Sequence, residues 1–318
     1  MEYEQTSDRT ITFRGDRDVV LHIGQDNLLT HSFTILPMIS MSGTAPGKLF
    51  ICLQERGNQF GPRVLKQVEE QEREYGNIVV RCSTSGKMTT EMMKSWIHEV
   101  VAPVANRFGR MHDERDSPHE RPWRRILIVG DAWGGNSNDD VVAEMKQIGA
   151  EFLKIPPGTT ADLQPLDVDF FRQYKLFVKR IWMELQILDR AHEVTSRADA
   201  ISMHSLIWDQ FQAPCYSGLI RYAWRGIDVD LKESDPPMRT ASLQFNSFTP
   251  ESKCEVANCT KYAFVRCAHC QKLLCIDHFL HRTCFHHEQL EDGQAVAFDD
   301  LGLGDSGHFA EFEDDMLI

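Results

Sequence analysis

Apolar residues recur at two different spacings along the first 225 residues, which predicts strands in some segments and helices in others. Short β-branched runs predict the strands. These runs are HSFTILPMISMSG (31–43), GKLFICLQE (47–55), NIVVRCS (77–83), ILIV (126–129) and EFLKI (151–155). The first two are expected to be neighbours joined by a glycine-containing turn, and ILIV is apolar enough to be buried on both faces of a sheet.

Longer segments carry apolar residues at helical spacing. Residues 88–106 predict one helix, with Thr89 or Thr90 as its N-cap, and residues 139–148 predict another. Further helical segments lie at 205–211 and 217–224. The longest apolar stripe is formed by Phe170, Phe171, Tyr174, Phe177, Val178, Ile181, Trp182 and Leu185. Strands come first and then alternate with helices, which predicts an α/β fold in which a mixed sheet is flanked by helices.

Composition divides the chain into four regions. Residues 1–225 carry the strand and helix patterns and are predicted to form the main domain. Residues 226–252 combine Pro, Ser and Asp without a sustained period, which predicts a linker. Residues 253–288 hold clustered cysteines and histidines. Residues 289–318 are acidic and sparsely apolar, which predicts a disordered tail that either solubilises the chain or binds proteins through its Phe and Leu residues.

The formal net charge of −13 is unevenly distributed. Residues 288–318 contain ten Asp or Glu and no Lys or Arg, which leaves −3 for the rest of the chain. Basic clusters lie at 121–125 and 175–180, so the net charge neither excludes a nucleic-acid partner nor argues for one. The sequence has no apolar run of about eighteen residues and a polar N-terminus, so we expect an intracellular protein without a membrane span or signal peptide.

Two aspartates follow apolar segments. Asp131 comes directly after ILIV-Gly, and Asp167 comes after 35 intervening residues, at the start of the long apolar stripe. If the β-α-β unit between them returns beside the first strand, both carboxylates reach the same edge of the sheet. There they could coordinate Mg²⁺ or Mn²⁺, which prefer oxygen ligands. The alternative is that Asp131 only forms a turn and Asp167 only caps a helix.

Six of the nine cysteines lie between Cys254 and Cys284, interleaved with histidines. In a chain without a secretory signal this clustering favours metal ligands over disulfides. Ligand pairs a few residues apart suit tetrahedral Zn²⁺, and eight ligands suit two closed structural sites. If the segment is interleaved as in the cross-brace fingers that its spacing resembles, one site is formed by Cys254, Cys259, Cys275 and His278, and the other by Cys267, Cys270, Cys284 and His286.

Several alternatives remain open for this segment. His269, His281 and His287 are spare ligands, and His281 or His287 could replace His286 in the second site. A set of buried thiols without metal is the alternative to zinc. The spacing resembles cross-brace fingers of the RING and B-box kind and the Cys/His-rich C-termini of some transposases. Such a finger could contact DNA through its basic residues or bind a protein.

These motifs together resemble the DDE-superfamily endonuclease domain of pogo- and Tigger-like transposases, in the mariner superfamily. The resemblance covers residues 1–182 and is most specific in ILIVGDAW and IPPGTTADLQPLDVDFFRQYK. It implies a ribonuclease-H-like fold, divalent-metal phosphodiester chemistry and a DNA substrate. Asp131 and Asp167 match the family's second and third acidic positions, which makes them the expected catalytic residues. Lys175 matches the basic residue after the third and is expected to bind nucleic acid.

The chain also departs from the family pattern. The family's first acidic residue lies on a strand shortly before a segment that resembles EYEQTSDRTITFRG (2–15), and we expect that strand to be missing from an N-terminally truncated chain. The family's helix-turn-helix region is expected to be absent as well. WGGNSN (133–138) stands where relatives often have a histidine. Because a missing carboxylate would weaken metal binding and misplace the ions, we expect DNA cleavage and strand transfer to be impaired.

The sequence therefore predicts a transposase-derived DDE endonuclease-like protein that binds DNA and has a two-zinc finger after its main domain. Magnesium or manganese would bind at the acidic pair. The resemblance alone implies a nuclear location. One alternative is a non-enzymatic adaptor that binds DNA or protein through the zinc finger and keeps the old catalytic scaffold for its surface. Another is a zinc-finger interaction protein whose acidic tail recruits partners.

Overall fold

The structure is a computed structural model that describes residues 32–113, 126–131, 139–190, 194, 196–227, 239–287 and 316–317. Three parts of the sequence lie outside the described residues. They are EYEQTSDRTITFRG (2–15), WGGNSN (133–138) and the predicted acidic tail, apart from 316–317.

The five predicted strand runs and a sixth strand form two three-stranded sheets. The sixth strand, at 316–317, was not predicted and lies in the segment that was expected to be a disordered tail. The first has the order β1-β2-β3 and consists of β1 (Phe33–Leu36), β2 (Leu49–Gln54) and β3 (Ile78–Ser83). β1 runs antiparallel to β2, and β2 runs parallel to β3. The second has the order β5-β4-β8, is parallel throughout, and consists of β4 (Ile126–Gly130), β5 (Ala150–Lys154) and β8 (Met316–Leu317). The predicted mixture of antiparallel and parallel pairing is confirmed.

Helices make up much of the main domain. The α-helices are α1 (Pro62–Tyr75), α2 (Thr90–Trp96), α3 (Ala102–Asp113), α4 (Asp139–Gln147), α5 (Thr160–Leu163), α6 (Phe171–Ile187), α7 (Arg197–Phe211) and α8 (Ser217–Ala223). A π-helical turn at Ile97–Val101 joins α2 to α3, and another at Leu166–Phe170 leads into α6. No helix in the described ranges is both long and apolar enough to cross a membrane.

Helices cover both faces of the sheets, and each face has its own apolar core. On β2, Ile51 enters the core shared with α6 and α7, whereas Phe50 enters the core shared with α2 and α4. On β4, Val129 enters the core shared with α6 and α7, and Ile128 enters the core shared with α2 and α4. This alternation is the two-residue period of a strand that is buried on both faces. Because each core contains residues of both sheets, β1 to β5 lie in one layer between two layers of helices, as the α/β prediction requires.

Local caps fix where several helices begin and end. Thr89 accepts a hydrogen bond at 3.3 Å from the backbone N–H three residues later, so Thr89 rather than Thr90 is the N-cap of α2. Ser196 and Asp199 form a capping box at the start of α7. Gly76 ends α1 with a φ of 71°, a left-handed conformation that glycine adopts without steric cost. A side-chain N-cap typically contributes about 1 kcal/mol to stability.

Helix α1 is not among the helices that the sequence pattern predicts. It begins at Pro62, whose fixed φ suits the first position of a helix. Only Val68, Gln71 and Tyr75 of this helix are buried, so few of its residues face the core. Contact with α7 stabilises it, since the Gln71 side chain donates a hydrogen bond to the carbonyl of Ala198 at 3.0 Å.

Residues 239–287 form a small module with little regular secondary structure. Strands β6 (Val265–Arg266) and β7 (Leu273–Leu274) form an antiparallel pair, and α9 (Ile276–Leu280) follows them. Most of its buried apolar residues belong to the same core as α6 and α7. Within the predicted linker, Ala241–Phe245 forms a π-helical turn in which Gln244 is buried. The division of the chain into a main domain, a linker and a finger stays a prediction.

Candidate functional site

Asp131 lies at the carboxyl end of β4. The backbone N–H of Ile155 donates a hydrogen bond to the carbonyl of Gly130 at 2.8 Å, which extends the parallel β4–β5 pairing up to the residue before Asp131. The Asp131 side chain is half-buried. The carboxylate therefore leaves the sheet at the edge where β4 and β5 both end.

A proline-rich loop leads from β5 towards Asp167. The carbonyl of Pro156 accepts hydrogen bonds from the backbone N–H of Thr159 at 3.3 Å and from its hydroxyl at 2.8 Å, which closes a tight turn. Within this turn Gly158 has a φ of +85°, a conformation that favours glycine. Helix α5 follows, and the N–H of Asp167 then donates to the carbonyl of Gln164 at 2.9 Å.

Asp167 lies in the π-helical turn that continues directly into α6. Leu166 and Phe170 on this turn are buried, whereas Asp167 is exposed. The apolar residues thus anchor the turn in the core while the carboxylate faces outward.

The carboxylates of Asp131 and Asp167 interact electrostatically. Asp167 is exposed as a residue, but its carboxyl group is partly desolvated, which raises its pKa. The negative charge of Asp131 raises this pKa further. The positive charge of Lys175 acts in the opposite direction and lowers this pKa. Lys175 is exposed, and its Nζ lies 5.8 Å from the centroid of the Phe171 ring. The fold therefore brings three predicted site residues into one electrostatic neighbourhood.

Two carboxylates that repel each other form an arrangement that a divalent cation can stabilise. Within the described part of the chain, groups of three or more side chains with metal-ligand geometry occur only among the clustered cysteines and histidines. Among the described residues, Asp131 and Asp167 do not belong to any group of three or more potential ligands whose ligand atoms lie within 4.8 Å of one another.

Asp169 is an acidic residue near this site that sequence inspection does not single out. It is 6% exposed, and its Oδ2 atom has no hydrogen-bond partner among the described residues. It follows Asp167 by two residues in the same helical turn, and its burial shows that it lies on the side of the turn that faces the interior. Nothing in the spacing of the sequence distinguishes its buried carboxylate from an exposed one.

The clustered cysteines and histidines form two groups in which the ligand atoms lie within 4.8 Å of one another. The groups have the membership predicted from the sequence: Cys254, Cys259, Cys275 and His278 in the first, and Cys267, Cys270, Cys284 and His286 in the second. His269, His281 and His287 are in neither group. His269 instead stacks on His286, with ring centroids 4.8 Å apart.

The distances within these groups suit tetrahedral zinc. Zinc–sulfur bonds of about 2.3 Å and zinc–nitrogen bonds of about 2.0 Å place tetrahedral ligand atoms roughly 3.5–3.8 Å apart. In the first group, Nδ1 of His278 lies 3.3 Å from Sγ of both Cys254 and Cys275. In the second group, Sγ of Cys270 lies 3.7 Å from Sγ of Cys284. Both groups could therefore hold a zinc ion with all four positions filled by protein.

The fold and these two kinds of site define an α/β protein with a candidate divalent-metal pair and a Cys/His module. The family model for the DDE superfamily endonuclease matches residues 56–224, and the model for the Tc5 transposase C-terminal domain matches residues 232–287. The first match covers more than half of the chain, which therefore belongs to the DDE superfamily endonucleases.

These two matches confirm the resemblance to transposases and identify a transposase-derived, DNA-binding chain. The second match begins within the predicted linker and includes all eight Cys and His residues of the two groups. Comparison with curated proteins and with solved structures found no significant match.

Proposed function

We propose that Asp131 and Asp167 together hold a magnesium or manganese ion, and that the ancestral activity of this chain is metal-dependent cleavage and joining of DNA. The observation that carries this proposal is the electrostatic interaction between two carboxylates that are far apart in sequence. A bound cation of this kind activates water or a 3′-hydroxyl for attack on phosphate and stabilises the leaving oxygen.

The chain's own residues would bind and orient the reactants. Asp131, at the end of β4, and Asp167, on the turn before α6, supply oxygen ligands from two rigid elements. The proline-rich loop restricts where Asp167 can lie relative to β4. Lys175 is placed to attract the DNA backbone and to offset the negative charge of the pair.

The exposed side of α6 supports a DNA-binding role. Arg172, Lys175 and Lys179 follow one another at intervals of three and four residues, which aligns them along one side of the helix. A row of cations that starts beside the acidic pair would position the phosphates of a DNA strand next to the metal. Charge reversal at Lys175 should therefore weaken DNA binding and reduce its dependence on salt concentration.

We propose further that catalysis is impaired in this chain. The support is that the described residues supply only two carboxylates to the site, where the resemblance implies three. Two ligands leave more of the coordination sphere to water, and misplacement of an ion by about 1 Å can reduce a rate 100-fold.

A plasmid-nicking assay with Mg²⁺ or Mn²⁺ tests the catalytic proposal. The full chain should nick DNA slowly, Asp131→Asn should abolish this activity, and Asp189→Asn should leave it unchanged. Asp189 is a suitable matched control because it is exposed, follows α6 at the opposite end from Asp167, and has a φ of 54° that Asn also tolerates. Cleavage that is indistinguishable between the full chain and Asp131→Asn would remove the catalytic claim.

The second candidate function is a non-enzymatic adaptor that binds DNA or protein through a zinc finger. The geometry of the Cys/His groups, in which protein ligands could fill all four positions of each zinc ion, favours it. In this case DNA binding would survive Asp131→Asn and the removal of Mg²⁺. The two Cys/His groups would hold structural zinc in either case, and a nuclear location follows from either function on DNA.

A further inference from the structure

The two Cys/His groups are each attached to a different helix of the main domain. The first group lies against α6, the helix that directly follows the turn carrying Asp167. The second group lies against α7. The attachment is made by buried rings and buried polar groups.

Phe279 connects the first group to α6. It directly follows the ligand His278, is 2% exposed, and its ring centroid lies 5.9 Å from that of Phe177 on α6. Phe245 also packs edge-on against the Phe177 ring, with the ring centroids 5.0 Å apart. Asp277, between the ligands Cys275 and His278 in sequence, forms an ion pair with Arg190, just beyond the end of α6.

The second group is attached to α7 through two buried polar residues. The backbone N–H of the ligand His286 donates to a carboxylate oxygen of Asp209 at 3.0 Å. The N–H of Ala268, next to the ligand Cys267, donates to Oε1 of Gln210 at 2.7 Å. Asp209 is 1% exposed and Gln210 is fully buried. Displacement of the module would leave these buried polar groups without partners, which is energetically unfavourable.

The module cannot maintain these contacts on its apolar core alone. Its regular structure consists of two strands of two residues each, one five-residue helix and the π-helical turn at Ala241–Phe245. A segment of this size depends on bound metal for most of its folding free energy. Loss of zinc from the first group should therefore release Phe279 from Phe177 and Asp277 from Arg190.

We propose that zinc bound by Cys254, Cys259, Cys275 and His278 acts at a distance on the acidic pair, because it fixes α6 and thereby the position of Asp167. Phe279 is the positioning residue of this arrangement. The module contacts α6 at the middle of the helix and just beyond its end, and Asp167 lies on the turn before the helix. The coupling is expected because α6 is a single rigid helix. This inference rests on the proposed metal-binding role of Asp167.

Hydrogen exchange and Mn²⁺ affinity in the full chain test this proposal together. The variants are Phe279→Ala, Phe279→Leu and Cys275→Ser, with Cys82→Ala as the control because Cys82 is a buried thiol outside both groups. Phe279→Ala should keep its zinc, speed amide exchange in residues 167–178, and weaken Mn²⁺ binding about tenfold, the size of effect seen when groups that orient metal ligands are lost. Phe279→Leu should restore most of both properties, because leucine refills the space beside Phe177.

The outcomes separate this inference from the proposed function. If exchange in 167–178 increases in Phe279→Ala and in zinc-depleted Cys275→Ser, but the unmodified chain binds no Mn²⁺, the coupling to α6 is present and the metal-binding function fails. If exchange in this segment is unchanged in both variants, the inference is wrong whatever the Mn²⁺ result. Should Cys275→Ser not fold, Phe279→Ala with full zinc content still decides the question.

Discussion

The carboxylates of Asp131 and Asp167 are separated by 35 residues in the chain, yet the charge of Asp131 contributes to raising the pKa of Asp167. Their proximity results from two independent elements, the carboxyl end of β4 and the turn that opens α6. Like charges held this way destabilise the folded protein in the absence of a cation. A pair of residues that lowers the stability of the fold in this way is typical of a functional site.

Asp167→Asn should slightly stabilise the metal-free chain. The substitution removes the charge repulsion with Asp131 and the cost of partly desolvating a carboxylate. Since Asp167 is exposed and screened by solvent, the gain should stay below about 1 kcal/mol. Differential scanning calorimetry measures this gain in EDTA-treated buffer, under conditions in which the chain keeps its zinc. Asp189→Asn provides the reference. A lower melting temperature for Asp167→Asn alone would contradict a repulsive pair.

His204 should make the fold sensitive to acid. It is fully buried beside Tyr174, whose Oη lies 2.9 Å from its Nδ1, and burial lowers its pKa from 6.5 to about 3. Because the unfolded chain binds this proton at a higher pH than the folded chain, the contribution to stability is complete above pH 6.5 and is lost as the pH falls towards 3. Between pH 7 and pH 5 the free energy of unfolding should fall by about 2 kcal/mol from this group.

Urea unfolding at these two pH values checks the His204 prediction. His204→Phe, which keeps an aromatic ring but cannot titrate, should lose less stability between pH 7 and pH 5 than the unmodified chain. The comparison uses the change with pH within each protein, so any general cost of the substitution cancels. Equal losses in both proteins would contradict the prediction.

Metal analysis of the full chain should find two zinc ions, one for each Cys/His group. Cys270→Ser should reduce the content to one ion, since three remaining ligands bind zinc far less tightly than four. Cys82→Ala should keep both ions. Inductively coupled plasma mass spectrometry after gel filtration gives the numbers, and a zinc content near zero in the unmodified chain would rule out the two-site assignment.

Arg282 should be a major stabilising contact between the module and the main domain. Its guanidinium lies 3.4 Å from the centroid of the Tyr75 ring and donates to the carbonyl of Ser202 at 3.0 Å. Arg282→Ala should cost about 2 kcal/mol in the free energy of unfolding. Arg282→Lys should recover only part of this, because an ammonium group cannot stack as a plane on the ring and bond to α7 together. Denaturant titration with parallel zinc analysis measures both, and full recovery by lysine would exclude the stacked arrangement.

Elements with a strong local signal were predictable from the sequence. The apolar stripe that contains Phe177 and Ile181 identifies α6, and the run ILIV identifies β4. The membership of the Cys/His groups was predicted from the resemblance of their spacing to interleaved cross-brace fingers, and the two groups in the structure have that membership.

Other features were not predictable because they depend on contacts distant in sequence. Helix α1 exposes most of its residues and is held in place by α7. The burial of Asp209 becomes understandable only when His286 is seen to donate to its carboxylate. The attachment of the zinc module to α6 through Phe279 likewise has no signature in residue spacing.

The central claim is that Asp131 and Asp167 bind one divalent cation together, and a Mn²⁺ titration of the full chain followed by electron paramagnetic resonance tests it most directly. The account predicts saturable binding by the unmodified chain and by Asp189→Asn, and loss of that binding in both Asp131→Asn and Asp167→Asn. Equal Mn²⁺ binding by all four proteins, or its absence from all four, would contradict the claim.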